Sequence, residues 1–323
     1  MSRPFAVLAA ALVVIAACAA RPPERRDPPR RPSAVPARRY GPDRALISYA
    51  EREPEAKAKL FGKINEERAR AGIPRLSYDL VGAKAGDDFC LDAATTHAVG
   101  HWDMKGRPPY LRWAEAGGVD YHAQNFGSYT RIGAPVTESI ASLLLKTHAG
   151  MMAERPPDDG HRRTVLDPIF THVGIGVALV DGEFRMTEEF SRHVMEWIEI
   201  PSAPVPAKGT ARFRARLPKG LFVGIIEISY EAPPTSLTLR EISRRTSYGY
   251  PRSIHQLTPR LGAGMRWSGG DAGDFTVDSR GEIDLAVPLD HGKGSYYVLA
   301  YVGTGENRGQ RLQPGTAARI EAE

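Results

Sequence analysis

Apolar residues recur at three- and four-residue spacing from Ser48 to about Gly118. In the stretch AKAKLFGKINEERARAG, Leu60 and Ile64 lie one turn apart among charges, and Gly72 and Pro74 stop the pattern. Such a period predicts amphipathic helix. A further helix is predicted over roughly Val136 to Glu154, with Ile140, Leu143, Leu144 and Leu145 on its apolar side. Between them Arg107-Pro108-Pro109-Tyr110 breaks and restarts the chain. After His161 the period shortens to two. Val173–Val180 and Glu183–Phe190 read as strands joined at Asp181-Gly182, a hairpin signal. Pro201, Pro204 and Pro206 mark a boundary. Beyond it Ala211, Phe213, Ala215 and Leu217 alternate with Arg212, Arg214 and Arg216. Ile283, Leu285, Val287 and Leu289 repeat the alternation, and Tyr297, Leu299 and Tyr301 form a third such run. Short alternating strands separated by turn residues predict a β-sandwich over 199–323. The chain shows neither heptads nor internal repeats.

The first residues bear on compartment. Behind Arg3, the run Ala6–Ala17 is apolar over 12 residues. That is too short to span a bilayer and suits the core of a signal peptide over 1–18. It ends in Ile15-Ala16-Ala17-Cys18, which resembles a bacterial lipobox. The resemblance implies that Cys18 is lipidated and anchors the mature protein to a membrane. Ala19, in place of an aspartate, points by the same resemblance to the outer membrane or its periplasmic face. Cys90 is the one other cysteine, so export brings no disulfide framework. Its apolar helical surroundings predict a buried thiol.

Charge changes the picture less than its total suggests. The chain of 323 residues has a net charge of +5 and a pI near 9.2. Between Ala19 and Arg44, eight arginines face only Glu24, Asp27 and Asp43. Arg3 adds one more positive charge, which leaves residues 45–323 with a net of about −1. The basicity therefore belongs to a tail, which argues against a nucleic-acid partner. Seven prolines in the same stretch predict an extended tether over 19–45, reaching up to roughly 80 Å at about 3.1 Å per residue. Over the whole chain, 42% hydrophobic and 25% charged residues exclude wholesale disorder.

Searches for stand-alone chemistry find no G-x-S-x-G elbow, H-E-x-x-H helix or phosphate-binding loop. The glycine-rich turn Gly303–Gly309 is in the wrong setting to cradle phosphate. A series of short pieces does stand in a telling order. It opens with Ile64-Asn65-Glu66-Glu67-Arg68-Ala69 and Gly72-Ile73-Pro74-Arg75-Leu76, then Gly100-His101 and Lys105-Gly106-Arg107-Pro108. Trp113-Ala114-Glu115-Ala116-Gly117, Gln124-Asn125, Gly160-His161-Arg162-Arg163, Leu166–Thr171 and Gly174-Ile175-Gly176-Val177 follow. In this order they resemble the CAP superfamily (cysteine-rich secretory, antigen-5 and pathogenesis-related proteins), in its bacterial branch, over about residues 58–197.

That resemblance implies an α+β chain: a three-layer α-β-α CAP sandwich over 46–198, then the C-terminal all-β domain. It also implies a central cleft with two histidines, here His101 and His161, and two acidic residues. Some family members hold a divalent metal there, so the implied ligands for zinc or a similar cation are His101 and His161; neutral imidazoles suit zinc. Gln124 stands where the family usually shows a glutamate, and an amide cannot supply that charge. For the second acid, Glu154 fits the resemblance where Met151 takes the place of a tryptophan that family members often have three residues earlier, and Asp158 and Asp159 are competing positions. Among the other histidines, His97 is expected at a solvated helix position and His148 in half-buried packing. His122 and His172 are expected at loop and strand edges, and His193, His255 and His291 carry no pattern.

The expectation is an exported, lipid-anchored envelope protein without assigned catalytic residues. Its cleft of His101, Gln124, Glu154 and His161 would bind a lipid, a sterol-like molecule or a cell-wall polymer. Two alternatives stand beside it: a metal-dependent hydrolase of peptide or wall substrates, and a structural adhesion protein. An open apolar cleft favours ligand binding, and a cleft filled by the protein's own side chains favours the structural reading.

Overall fold

A computed structural model describes residues 37–38, 49–131, 136–201, 204–304 and 312–323. The signal peptide, Cys18, nearly all of the predicted tether and most of the Gly303–Gly309 turn lie outside the described residues. No helix among the described residues is long and apolar enough to cross a membrane.

The predicted helical region resolves into α1 (Pro54–Arg70), α2 (Leu80–Thr96) and α3 (Pro109–Glu115), with the short strand β2 (Ser77–Tyr78) between the first two. Pro54 opens α1 at a position where a missing N–H costs nothing. Leu60 and Ile64 are fully buried on one side of α1. Asn65 and Arg68 of its motif are buried too, because each is spent on backbone. Asn65 donates to Leu76 O at 3.0 Å and accepts from Leu76 N at 2.7 Å. The Arg68 guanidinium reaches Pro74 O (2.8 Å), Val165 O (2.7 Å) and Asp167 O (2.9 Å). Asp79 caps α2, accepting from Val81 N and Gly82 N. Further on come α4 (Ile140–Ala153), capped by Ser139, and α5 (Gly160–Val165).

Strands β3 (Tyr121–Thr130), β4 (His172–Val180) and β5 (Glu183–Arg192) join β2 in a sheet of order β2-β4-β5-β3. The β4–β5 hairpin turns at Asp181 and Gly182, both with positive φ, as its two-residue loop requires. Helix α2 covers one face through glycines: a Cβ on Gly176 would lie 2.2 Å from the carbonyl carbon of Gly86. Leu60, Ile64, Leu143 and Leu144 of α1 and α4 cover the other face, against Val173, Ile175, Phe184 and Phe190. The result is the three-layer α-β-α arrangement, with β3 as one sheet edge.

Two antiparallel sheets follow. One runs β1 (Ala37–Arg38), β6 (Glu196–Pro201), β7 (Thr210–Arg216), β11 (Glu282–Pro288), β10 (Thr276–Val277). The other runs β13 (Gln313–Ala322), β12 (Gly294–Thr304), β8 (Leu221–Glu231), β9 (Ser253–Leu257). Phe213 and Val287 face Ile228 and Val298 in a shared core. The arginines alternating with Phe213 point outward, where Arg212 pairs with Asp284 and Arg216 with Glu282 and Glu196. Between β8 and β9 the chain forms α6 (Leu239–Arg244), closed at its start by a Thr238/Glu241 capping box. Residues 35–323 make a single compact unit.

Candidate functional site

Helix α2 ends at His97, whose left-handed backbone turns the chain into the loop that carries His101. The His101 Nδ1 lies 3.0 Å from Gln124 Oε1 on β3. Gln124 Nε2 in turn donates to Glu189 Oε1 at 2.8 Å. Glu189 stands directly opposite Gln124 in the β3–β5 register, and its second oxygen lies 2.7 Å from His122 Nε2. His122 and Gln124 share a strand face because side chains alternate with period two. Burial pushes the His101 imidazole down to about 4, against the opposing pull of the Gln124 hydrogen bond. At neutral pH the ring is therefore uncharged. Its Nδ1–H donates to Gln124, and its Nε2 has no protein partner among the described residues. Burial works against ionisation of Glu189, but His122, Gln124 and Arg112 outweigh it and hold the carboxyl below its ordinary range. The negative charge that Gln124 lacks sits one residue further along the chain of hydrogen bonds.

The next residue on β3 serves the opposite face of the sheet. Asn125 Nδ2 donates to Glu188 Oε2 (2.9 Å) and to the backbone oxygen of His161 (3.1 Å). Glu188 Oε1 is 2.6 Å from His148 Nδ1, and His148 Nε2 is 2.9 Å from Glu67. His161, on α5, places Nδ1 2.5 Å from Glu154 Oε1, while the other Glu154 oxygen accepts the His161 N–H at 3.1 Å. His101 and His161 thus approach the β3 edge from its two faces, near enough that His161 disfavours charge on His101.

An edge strand leaves backbone groups unpaired, and at Gln124 the protein satisfies them itself. The Tyr248 hydroxyl accepts the Gln124 N–H and donates to Gln124 O at 2.8 Å. The Tyr248 ring sits 4.7 Å from that of His101. The segment leading to Tyr248 is tied to the His101 loop at three points. Leu237 N donates to Met104 O (2.9 Å), and Trp102 Nε1 donates to Ser247 O (3.3 Å). Gly106 packs so closely on Thr235 that a Cβ there would be 2.0 Å from its carbonyl oxygen.

The family model described as the cysteine-rich secretory protein family, CAP, matches residues 61–190. Residues 61–190 are a CAP domain. No curated protein matches the chain. Among solved structures, an extracellular protein containing a SCP domain from Bacillus anthracis is 22% identical, with a TM-score of 0.33. The match covers 43% of this chain and 41% of that one, less than half of the Bacillus protein. An outer surface protein of Borrelia burgdorferi is 14% identical over 43% of this chain and 92% of its own, with a TM-score of 0.35. The CAP domain of Enterococcal PrgA is 17% identical over 45% and 63%, with a TM-score of 0.31.

Within the CAP domain, His101, Gln124, Glu154 and His161 gather at the β3 edge as two hydrogen-bonded pairs. Asp158 takes no part, and Asp159 pairs with Arg163 at 3.1 Å. Zinc sites take three or four protein ligands. Here Glu154 is spent on Nδ1 of His161, Gln124 is an amide, and no third donor among the described residues joins both imidazoles within ligating reach. These residues do not fit a three-ligand zinc site. His97 is solvated, as expected, and pairs with Glu183. His148 is a correction: it is fully buried, because Glu188 on β5 receives it. His122 lies on the edge strand β3, as expected, buried against Glu189. His172 stacks on His193 at 3.8 Å. Cys90 is fully buried, and burial pushes its thiol far above the ordinary range. The sequence reading missed Glu188, Glu189 and Tyr248. Adjacent carboxylates in the middle of a strand flanked by Phe184 and Phe190 were the available signal for the first two.

Proposed function

We propose that this chain is a non-catalytic envelope protein, exported and anchored through Cys18, whose CAP cleft is occupied by the chain's own segment between β8 and β9. Its role is structural: it presents a closed CAP module and a β-sandwich on a tether at the membrane face. The observation that carries this reading is Tyr248, its ring tilted against His101 at 4.7 Å and its hydroxyl clamped to both backbone groups of Gln124. Two surface cavities of about 180 and 200 Å³ lie elsewhere, the first beside Arg107 and Arg112, the second beside Trp113 and His193. Neither includes His101 or His161, and both fall short of the roughly 300 Å³ at which small-molecule sites begin. A water-activating metal has too few ligands in the cleft, so the hydrolase reading loses its centre.

Native mass spectrometry of the mature chain, taken from its membrane in mild detergent, tests the proposal. The expected spectrum shows the polypeptide with the lipid on Cys18 and no other organic mass. A second retained lipid-sized mass, displaced when Tyr248→Trp enlarges the plug, would overturn it in favour of a ligand-binding cleft.

A further inference from the structure

Far along the chain from the cleft, three residues without a role in the CAP domain converge. His255 sits on β9, the edge strand of the second sheet. Asp290 and His291 sit in the loop that carries the chain from β11 in the first sheet to β12 in the second. His255 Nε2 lies 3.0 and 2.9 Å from the two Asp290 oxygens, and His291 Nδ1 lies 2.9 Å from Asp290 Oδ1. One donor atom from each residue lies within 4.8 Å of the other two, the one such set among the described residues. A tetrahedral zinc with bonds of about 2.0–2.1 Å needs neighbouring donors roughly 3.3 Å apart. The two imidazole–carboxylate spacings, 2.9–3.0 Å, are already close to that, and the two imidazole donors lie within 4.8 Å of each other.

The scaffold behind the donors is fixed. The His291 N–H donates to the Tyr296 hydroxyl at 2.7 Å, and that hydroxyl donates to Gly292 O at 3.1 Å. Tyr230 tilts against the His291 ring at 5.5 Å and donates its hydroxyl to Lys293 O at 2.8 Å. Leu289, just before the site, is fully buried. Gly292 supplies the positive φ that turns the loop back. Exposed histidine–carboxylate pairs contribute little to stability, so the sandwich does not need this cluster for its own folding.

We infer that His255, Asp290 and His291 form a binding site for a late first-row divalent cation of the zinc class. Two imidazoles and one carboxylate suit Zn²⁺, Co²⁺ or Ni²⁺ rather than Ca²⁺ or Mg²⁺. Three protein ligands leave a fourth position for water or for a donor from outside. The ion cross-links edge strand β9 to the loop that passes between the sheets. This site is independent of the closed cleft and stands or falls separately from it.

The test uses the full mature chain stripped with a chelator and then dialysed. Titration with Zn²⁺ by calorimetry, and with Co²⁺ by visible absorption, is expected to give one equivalent with micromolar or tighter affinity. The cobalt form is expected to show the intense d–d band of a four- or five-coordinate ion. His255→Ala, His291→Ala and Asp290→Asn should each weaken binding at least tenfold while leaving the melting temperature of the metal-free protein nearly unchanged. His101→Ala and His161→Ala should bind as the wild type does. Absence of one-equivalent binding by the folded wild type overturns the inference. So does binding that is lost with His101 or His161 and kept without His291.

Discussion

Glu189 is buried with its charge intact because four neighbours are arranged around it: His122, Gln124, Arg112 and, through Gln124, His101. Restoring a carboxylate at position 124 would therefore not restore a site; it would place two acids 2.8 Å apart. Two carboxylates at that distance cannot both ionise without a proton or a cation between them. Gln124→Glu is expected to lift the His101 imidazole from about 4 to above its ordinary value near 6.5, and to cost about 2–3 kcal/mol at neutral pH. The sign of the pH dependence follows. In the wild type the depressed value gives stability that is fully present above about pH 6.5 and fades as pH falls through about 4. In the variant the His101 contribution is present below about 6.5 and fades as pH rises. Ring NMR titration of His101 decides the matter, and a value left near 4 would disprove it. At this scale His101, His161, Glu154 and the departure at Gln124 were legible in the sequence. The partners were not. Which carboxylate answers a buried histidine depends on register across β3 and β5, and no local pattern encodes that.

Helix α2 and strand β4 show why glycine appears in both at matching intervals. Gly82 and Gly86 lie one turn apart on α2, and Gly174 and Gly176 share one face of β4. A Cβ on Gly174 would lie 2.2 Å from Ala83 N, and one on Gly176 2.2 Å from the carbonyl carbon of Gly86. Backbone atoms cannot move aside as a side-chain tip can. Gly176→Ala is thus expected to destabilise the protein by about 3 kcal/mol, at the upper end of overpacking costs. Gly62, exposed within α1 with nothing within 4 Å of an added Cβ, is the matched comparison. Gly62→Ala should gain about 0.5–1 kcal/mol by helix propensity. Urea unfolding of both variants reads the difference, and equal effects would refute the close-packing account. The alternating sandwich strands were visible in the sequence, since period two survives wherever one face meets solvent, and the β4–β5 hairpin was visible through its Asp181-Gly182 turn. Strand β5 is buried along its whole length, including Arg185, Thr187, Glu188 and Glu189. With both faces covered its alternation carries no inside-outside message, and so nothing in the local pattern marks its polar residues as buried.

For the whole molecule, Pro201, Pro204 and Pro206 mark the passage from β6 to β7, and such a junction reads equally as hinge or as rigid corner. The contacts decide for the corner. Tyr110 and Leu111 of α3 pack with Tyr297, Leu299 and Ala317 of the second sheet. Phe89 and Phe126 pack with Leu237 and Ile242. Trp197 on β6 donates its indole N–H to Val119 O at 2.9 Å and Thr316 Oγ1 at 3.0 Å. These residues are spaced like any other core residue, so nothing in the sequence distinguishes a face buried within a layer from one buried between layers. Cutting the chain after residue 198 would bare Tyr110, Leu111, Phe89 and Phe126 together. An apolar patch of that size on an isolated domain invites aggregation and dye binding. The intact mature chain is expected to unfold in one calorimetric transition, with a van't Hoff enthalpy equal to the calorimetric one. The 45–198 fragment is expected to bind a hydrophobic dye and to melt at least 10 °C lower, since a few kcal/mol shifts a domain of that size by roughly that much. Two resolved transitions in the intact chain, together with a fragment that melts where the first of them does, would show that the CAP domain and the sandwich stand independently and that Tyr248 can leave the cleft without unfolding either.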